Sequence, residues 1–221
     1  MGGIKLSIFT FPDAVIGFFM APIIPIIHKI KNFPPKQIIH PMSGFLKPGE
    51  MCMVLGRPNS GCSTLLKVLA NQREGFVRVN GNVSYGGILA DLMAKQCLAS
   101  VIPKIHEGEG IYEQFNKVIV LNEGRMVYFG PAKEAQAYMV SLGYKNLPQQ
   151  TTANYLTGFT DPNEQQFQNG IYPTQVPKSP EDMERAYKNS KIFQREKKMS
   201  VLITRNLSIK SFVFNKILWK L

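Results

Sequence analysis

The chain has 221 residues, of which 44% are hydrophobic and 19% are charged, so it can form a hydrophobic core and is not disordered throughout. Its three cysteines, Cys52, Cys62 and Cys97, are too few for a disulfide scaffold and lack the spacing of metal ligands. The formal net charge of +11 would suit nucleic-acid or membrane binding, depending on where the charge lies.

The most apolar run near the start of the chain, Ala14 to Ile27, is fourteen residues long and contains Pro22 and Pro25. A membrane-spanning helix needs roughly twenty apolar residues, so we expect no transmembrane span in this chain. The prolines and the lack of a small-residue cleavage site also disfavour a signal peptide. We therefore predict an interfacial or core-packing segment.

A strand, a glycine-rich loop and a helix follow one another from residue 51 onwards. Met51–Leu55 is a short apolar run between turn residues, which is typical of a strand buried on both faces. Residues 56–64 form the loop, and Leu65–Ala70 is helix-like. This order of elements is the context in which a phosphate-binding loop is found.

Two pairs of short strands are predicted downstream. Val77–Tyr85 alternates apolar and polar residues around Asn80-Gly81, which predicts a hairpin at that dipeptide. Lys117–Leu121 and Met126–Phe129 predict a second hairpin about the turn at 122–125.

Helices and a linker are predicted in the remainder of the chain. Pro131 opens a helix that Gly143 closes, Asp161–Pro180 has the composition of an extended linker, and Glu181–Lys198 could be a charged helix. Strands and helices mixed around a phosphate loop predict an α/β fold.

The positive charge lies in the tail of the chain. Glu184–Leu221 holds ten Lys or Arg against two acids, a net of +8, whereas the other 183 residues carry only +3. We therefore expect no nucleic-acid partner. The tail also contains Ile192, Phe193, Phe212, Phe214 and Trp219, a mixture that suits contact with an anionic membrane surface. No amphipathic period gathers these apolar residues on one face, so we favour a tail without a binding role.

The loop fits the phosphate-loop pattern G-x-x-x-x-G-K-[ST] except at the lysine, which is Cys62. Its glycines would let backbone N–H groups converge on phosphates, and the start of the helix would add its positive end. The predicted nucleotide-binding residues are Gly56, Arg57, Pro58, Asn59, Ser60, Gly61, Cys62, Ser63 and Thr64. Ser63 would also offer its hydroxyl to Mg²⁺. On the motif alone, a structural glycine-rich turn carries about equal weight.

The residues around this loop resemble a known family over most of residues 10–195. The matching segments are Leu46–Met51, Leu55–Gln72, Val83–Ile88, Gly108–Phe115, Tyr128–Ala135, Gln150–Ala153 and Thr160–Glu164. They are similar to the N-terminal nucleotide-binding domain of fungal pleiotropic drug resistance transporters, full-size members of ATP-binding cassette (ABC) subfamily G. The cysteine in place of the lysine belongs to that resemblance.

The resemblance implies a P-loop NTPase fold of the ABC type that binds ATP and Mg²⁺. For the parent protein it implies ATP-driven export of lipophilic compounds at the cytoplasmic face of the plasma membrane. It also implies a second nucleotide-binding domain and membrane domains as partners. In such a parent the site is the degenerate member of an asymmetric pair, so we expect nucleotide binding without hydrolysis in this chain alone.

The chain departs from the family between residues 88 and 107, where the helical subdomain, the signature motif and the catalytic carboxylate would lie. We therefore predict an incomplete cassette. Its expected parts are a pre-cassette segment (1–37), the P-loop half (38–87), a non-matching junction (88–107), the C-terminal part (108–160), a linker toward a membrane domain (161–198) and a divergent basic tail (199–221).

Two residues could be nominated for the missing catalytic roles. One is Glu123, at the end of the apolar stretch Val118–Glu123, which could serve as the catalytic acid. The resemblance, however, places this strand after the switch loop, where residues 122–124 form a hairpin turn. His106 lies in the stretch without resemblance, which favours an incidental surface histidine.

Two functional hypotheses remain. The first is a cassette fragment of a multidrug efflux transporter with nucleotide binding at the degenerate loop. The second is a non-catalytic soluble or membrane-surface interaction protein derived from the cassette. A nucleotide kinase or GTPase is disfavoured because those enzymes also need the lysine.

Overall fold

The computed structural model describes residues 37–72, 78–92, 109–170, 175–205 and 211–220. The apolar run Ala14–Ile27, His106 and most of the junction 88–107 lie outside these residues. Among the helices of the described part, none is long and apolar enough to cross a membrane.

The described chain contains seven strands and six α-helices, with a short 3₁₀ helix at Ala90–Leu92. The strands are β1 Gln37–Leu46, β2 Cys52–Leu55, β3 Arg78–Tyr85, β4 Ile88–Leu89, β5 Lys117–Asn122, β6 Arg125–Pro131 and β7 Phe212–Lys220. The helices are α1 Cys62–Leu69, α2 Glu109–Tyr112, α3 Ala132–Ser141, α4 Thr152–Gly158, α5 Pro180–Asn189 and α6 Lys191–Arg205. This mixture confirms the predicted α/β class.

The strands form two sheets. One is antiparallel with the order β1-β7-β3-β4, and the other has the order β2-β5-β6. In the second sheet β2 runs parallel to β5, while β5 and β6 form an antiparallel hairpin. The parallel pairing brings the carboxyl ends of β2 and β5 to the same edge, where the predicted loop begins.

The predicted strand at 51–55 is present, but it is not buried on both faces. Met53 and Leu55 are buried, whereas Cys52 and Val54 are half-buried and line an apolar cavity of about 310 Å³. The neighbouring β5 is buried at all six residues, which matches its uninterrupted apolar sequence.

The hairpin predicted at Asn80-Gly81 is wrong. Both residues belong to the strand β3, and Gly81, with φ 105°, lies at a shift in the register against β7. The chain turns instead at Gly86-Gly87, whose φ angles of 59° and 89° join β3 to β4. Asn80-Gly81 favours a turn in isolation, but in this fold it lies at an irregularity in the pairing of β3 with β7.

The second predicted hairpin is confirmed, with its turn at Glu123 and Gly124, whose φ angles are 48° and 74°. The predicted helix after Pro131 is confirmed as α3, and the chain leaves it through Gly143 at φ 102°. The charged helix predicted over 181–198 is divided into α5 and α6, because Ser190 is extended (φ −74°, ψ 153°).

The end of the chain supplies the strand β7 between β1 and β3. Phe212 pairs with Leu46 of β1 and with Tyr85 of β3. The predicted division into segments stays a prediction, and in the structure its last segment pairs with strands of the first half.

Candidate functional site

The loop predicted to bind phosphate connects β2 to α1. Asn59 and Gly61 have left-handed backbones, with φ 67° and 97°, and they turn the chain into a helix that begins at Cys62. The N–H of Leu65 donates to the carbonyl of Gly61 at 2.8 Å, which closes the first turn. No side chain caps this helix and its first turn has no acid, so its N-terminal amides suit an anion.

The structure brings all nine predicted residues into this one loop, at different depths. Ser60 is buried, while Gly56, Arg57, Gly61, Cys62 and Thr64 are half-buried and Pro58, Asn59 and Ser63 are exposed. Ser63 is thus an exposed residue in the first turn of the helix.

Both loop glycines are required by close approaches. A Cβ at Gly56 would collide with Oγ of Ser60 and would lie 2.5 Å from the carbonyl oxygen of Leu121. A Cβ at Gly61 would lie 2.8 Å from Cδ1 of Ile39, in a backbone conformation that disfavours side chains.

The Cys62 side chain folds back into the loop, with Sγ 3.2 Å from Oγ of Ser60. Burial raises the pKa of the Cys62 thiol above its ordinary value, and the opposing effect of the hydrogen bond with Ser60 is smaller. The thiol is therefore neutral at pH 7. It gives no positive charge to a phosphate, and it does not repel one as a thiolate would.

The turn between β5 and β6 packs directly against the loop. The N–H of Gly124 donates to the carbonyl of Ser60 at 2.8 Å, and the carbonyl of Gly124 accepts from the N–H of His40 at 2.9 Å. Nη2 of Arg57 lies 2.7 Å from Oε1 of Glu123. This ion pair between residues on two different loops is not predicted from the sequence.

The sequence carries no local signal for this ion pair, which depends on the parallel register of β2 and β5. Leu55 lies opposite Val120, so the residues that follow β2 and β5 meet at one edge.

The residues present fit a polyphosphate better than a bare metal ion. No cluster of three or more His, Cys, Asp or Glu side chains suited to a metal occurs in the part of the chain that the structure describes. Glu123 is paired with Arg57, so Mg²⁺ would have to rely on Ser63, on water and on the nucleotide itself.

Two aromatic residues of the tail, Phe212 and Phe214, pack against other aromatic rings of the fold. Phe214 is 1% exposed and its ring centroid lies 6.2 Å from that of Phe129. The ring of Phe212 lies 4.8 Å from that of Tyr85. The side chain of Trp219 lies outside the described residues. The membrane contact suggested by composition is not supported, because Phe212 and Phe214 pack within the fold.

No protein-family model matches the chain, but curated proteins do. It is 28% identical to ABC multidrug transporter I of Aspergillus fumigatus, over 88% of this chain and 22% of that protein. It is 28% identical to ABC multidrug transporter atrF of Aspergillus flavus, over 84% of this chain and 20% of that protein. It is 25% identical to ABC transporter G family member 17 of Dictyostelium discoideum, over 77% of this chain and 20% of that protein.

The chain thus spans about a fifth of the length of these relatives. All three are described as ABC transporters, in agreement with the resemblance to ABC subfamily G that the sequence motifs indicate. Over most of its length, the chain is a homologue of fungal ABC multidrug transporters and of ABC transporters of the G family.

Proposed function

We propose that this chain binds Mg-ATP at a degenerate phosphate loop, as a partial ABC cassette that does not hydrolyse it alone. The observation that carries the proposal is the uncapped start of α1 behind a loop with two left-handed residues, in a homologue of ABC transporters. A purely structural turn would not require an exposed Ser63 at the start of a helix whose first turn lacks an acid.

Each part of the loop has a binding role in this proposal. The backbone amides of residues 61–64 would donate to the phosphates, favoured by the helix dipole. Asn59 and Gly61 shape the turn, and Gly56 leaves room for Ser60 beneath it. Ser63 would hold Mg²⁺, which when bound supplies charge neutralisation to the phosphates.

The loop binds rather than reacts, because the charge that normally stabilises the transferring phosphoryl group is absent at Cys62. Losing one such preorganised contact costs about 3–4 kcal/mol in the transition state. The carboxylate of Glu123, which lies against the loop, is paired with Arg57 at 2.7 Å, so it is not free to activate water.

The alignment with the relatives supports an internally shortened cassette. Because 88% of 221 residues is about 194, about 128 of the 322 aligned positions of the Aspergillus fumigatus protein have no counterpart here. We propose that these positions include the helical subdomain and the signature motif. For a full-length parent we propose export of lipophilic compounds at the plasma membrane, with a second cassette and membrane domains as partners.

Titration of the purified full chain with a fluorescent ATP analogue, with and without Mg²⁺, tests the proposal. We expect weak, saturable binding that strengthens with Mg²⁺, and loss of the Mg²⁺ effect in Ser63→Ala. Lys67→Gln is the matched control, since it removes a charge from the other end of α1 and should leave binding unchanged.

The absence of saturable binding would refute the proposal and favour the interaction-protein hypothesis. Sustained phosphate release that Ser63→Ala abolishes would refute its non-hydrolytic part.

A further inference from the structure

The loop has lost its lysine, but it retains a cation next to its first glycine. Arg57 follows Gly56 directly, and its side chain is 29% exposed. Its guanidinium is engaged through Nη2 with Oε1 of Glu123, whose side chain is 58% exposed. Both groups remain accessible to solvent, so exchanging one partner for another costs little.

Glu123 occupies a backbone position that suits its residue type poorly. Two-residue hairpin turns with positive φ at both central residues favour Asn, Asp or Gly at the first of them, and Glu123 has φ 48° there. Glycine is needed at the second position, because a Cβ at Gly124 would collide with the carbonyl of Ile38. A costly residue held against a binding loop points to a functional role for its side chain.

We propose that Arg57 supplies the positive charge to the bound phosphates that Cys62 does not, and that Glu123 competes with the phosphates for Arg57. This inference rests on the proposed nucleotide binding. Without nucleotide, the ion pair neutralises the loop. A polyphosphate takes over the guanidinium, whose planar set of donors suits phosphate oxygens, and must break the ion pair with Glu123 to do so. Glu123 therefore holds the affinity of the loop low.

A double-mutant cycle on the full chain tests the inference, with the dissociation constant of Mg-ATP as its readout. We expect Arg57→Gln to weaken binding about tenfold, the effect of one charge-assisted contact. We expect Glu123→Gln to tighten binding about three- to fivefold, the upper range for removing an exposed ion pair. In the Arg57→Gln background, Glu123→Gln should change the affinity by less than about 1.5-fold, because the group for which Glu123 competes is gone.

Glu134→Gln is the matched control, since Glu134 forms a similarly exposed ion pair with Arg195 at 2.8 Å. It should leave the affinity unchanged, which separates the local competition from a general change in net charge. Circular dichroism should show all variants folded, because neither residue of the pair is buried.

The outcomes separate the two proposals. Equal tightening by Glu123→Gln with and without Arg57 would mean simple repulsion of phosphate and would overturn the inference. Unchanged affinity in both single variants would also overturn it, while leaving ATP binding intact. No binding in the wild type and in Glu123→Gln would refute the proposed function, and the inference with it.

Discussion

The buried ion pair between Lys117 and Glu196 joins β5 to α6, and breaking it tests how the two elements are held together. Nζ of Lys117 lies 2.7 Å from Oε2 of Glu196, and the side chains are only 7% and 10% exposed. The ammonium also lies 3.5 Å and 4.8 Å from the ring centroids of Phe45 and Phe129. Glu196→Gln keeps the size of the side chain and removes its charge.

Removing one partner of a buried ion pair costs about 3–5 kcal/mol, because the other charge stays buried without its counter-ion. The two rings retain part of the stabilisation of the ammonium. We therefore expect Glu196→Gln to lower the free energy of unfolding by about 3 kcal/mol, the lower end of that range. Lys117→Met should cost less, about 2 kcal/mol, since Nε of Arg195 remains 3.5 Å from Oε1 of Glu196.

In the double variant no buried charge is left unpaired, so we expect a total loss of about 2 kcal/mol rather than 5. Urea unfolding at pH 7, followed by circular dichroism, measures all four proteins. Arg185→Gln is the control, because Arg185 and Asp182 form an ion pair that is 71% and 47% exposed. It should change stability by less than about 0.5 kcal/mol. Effects of the two single variants that add within about 0.5 kcal/mol would refute this reasoning.

Three further predictions concern the loop, acid stability and β7. Cys62→Lys should tighten Mg-ATP binding by about 1–3 kcal/mol without producing phosphate release, and an unchanged dissociation constant by calorimetry would mean that the loop is only a turn. Burial raises the pKa of Glu184, but hydrogen bonds from Lys188 and Arg125 outweigh it and hold this pKa below its ordinary 4.5. The ionised Glu184 carboxylate therefore stabilises the fold above pH 4.5, and this stabilisation is lost as the pH falls through the lowered pKa. In Glu184→Gln, the free energy of unfolding should fall less steeply on acidification, as urea unfolding at several pH values would measure. Val213→Pro should lower the free energy of unfolding by about 3 kcal/mol or more. It should also expose the amides of β1 and β3 to hydrogen exchange, because β7 lies between those strands. Unchanged protection of these amides would place β7 outside the sheet.

The sequence predicted those parts of the fold whose conformation depends on residues close together in the chain. The loop at 56–61 was predictable because its glycines, at the end of an apolar strand, permit the tight approach of Ser60. The hairpin of β5 and β6 was predictable because two apolar runs flank a short turn that contains Gly124. The helix α3 is bounded by Pro131 and Gly143, whose backbone preferences start and stop helices by themselves.

Only the tertiary structure decided which distant segments meet. The composition of the tail did not reveal that Phe212–Lys220 would complete a sheet, since strand pairing depends on which backbone edges become adjacent. Gly81 lies within a strand for the same reason, because its pairing partner is β7. Arg57 and Glu123 are 66 residues apart, and they form an ion pair because the parallel register of β2 and β5 carries both to one edge. Local preferences therefore shaped the loop, and long-range packing determined the charges that surround it.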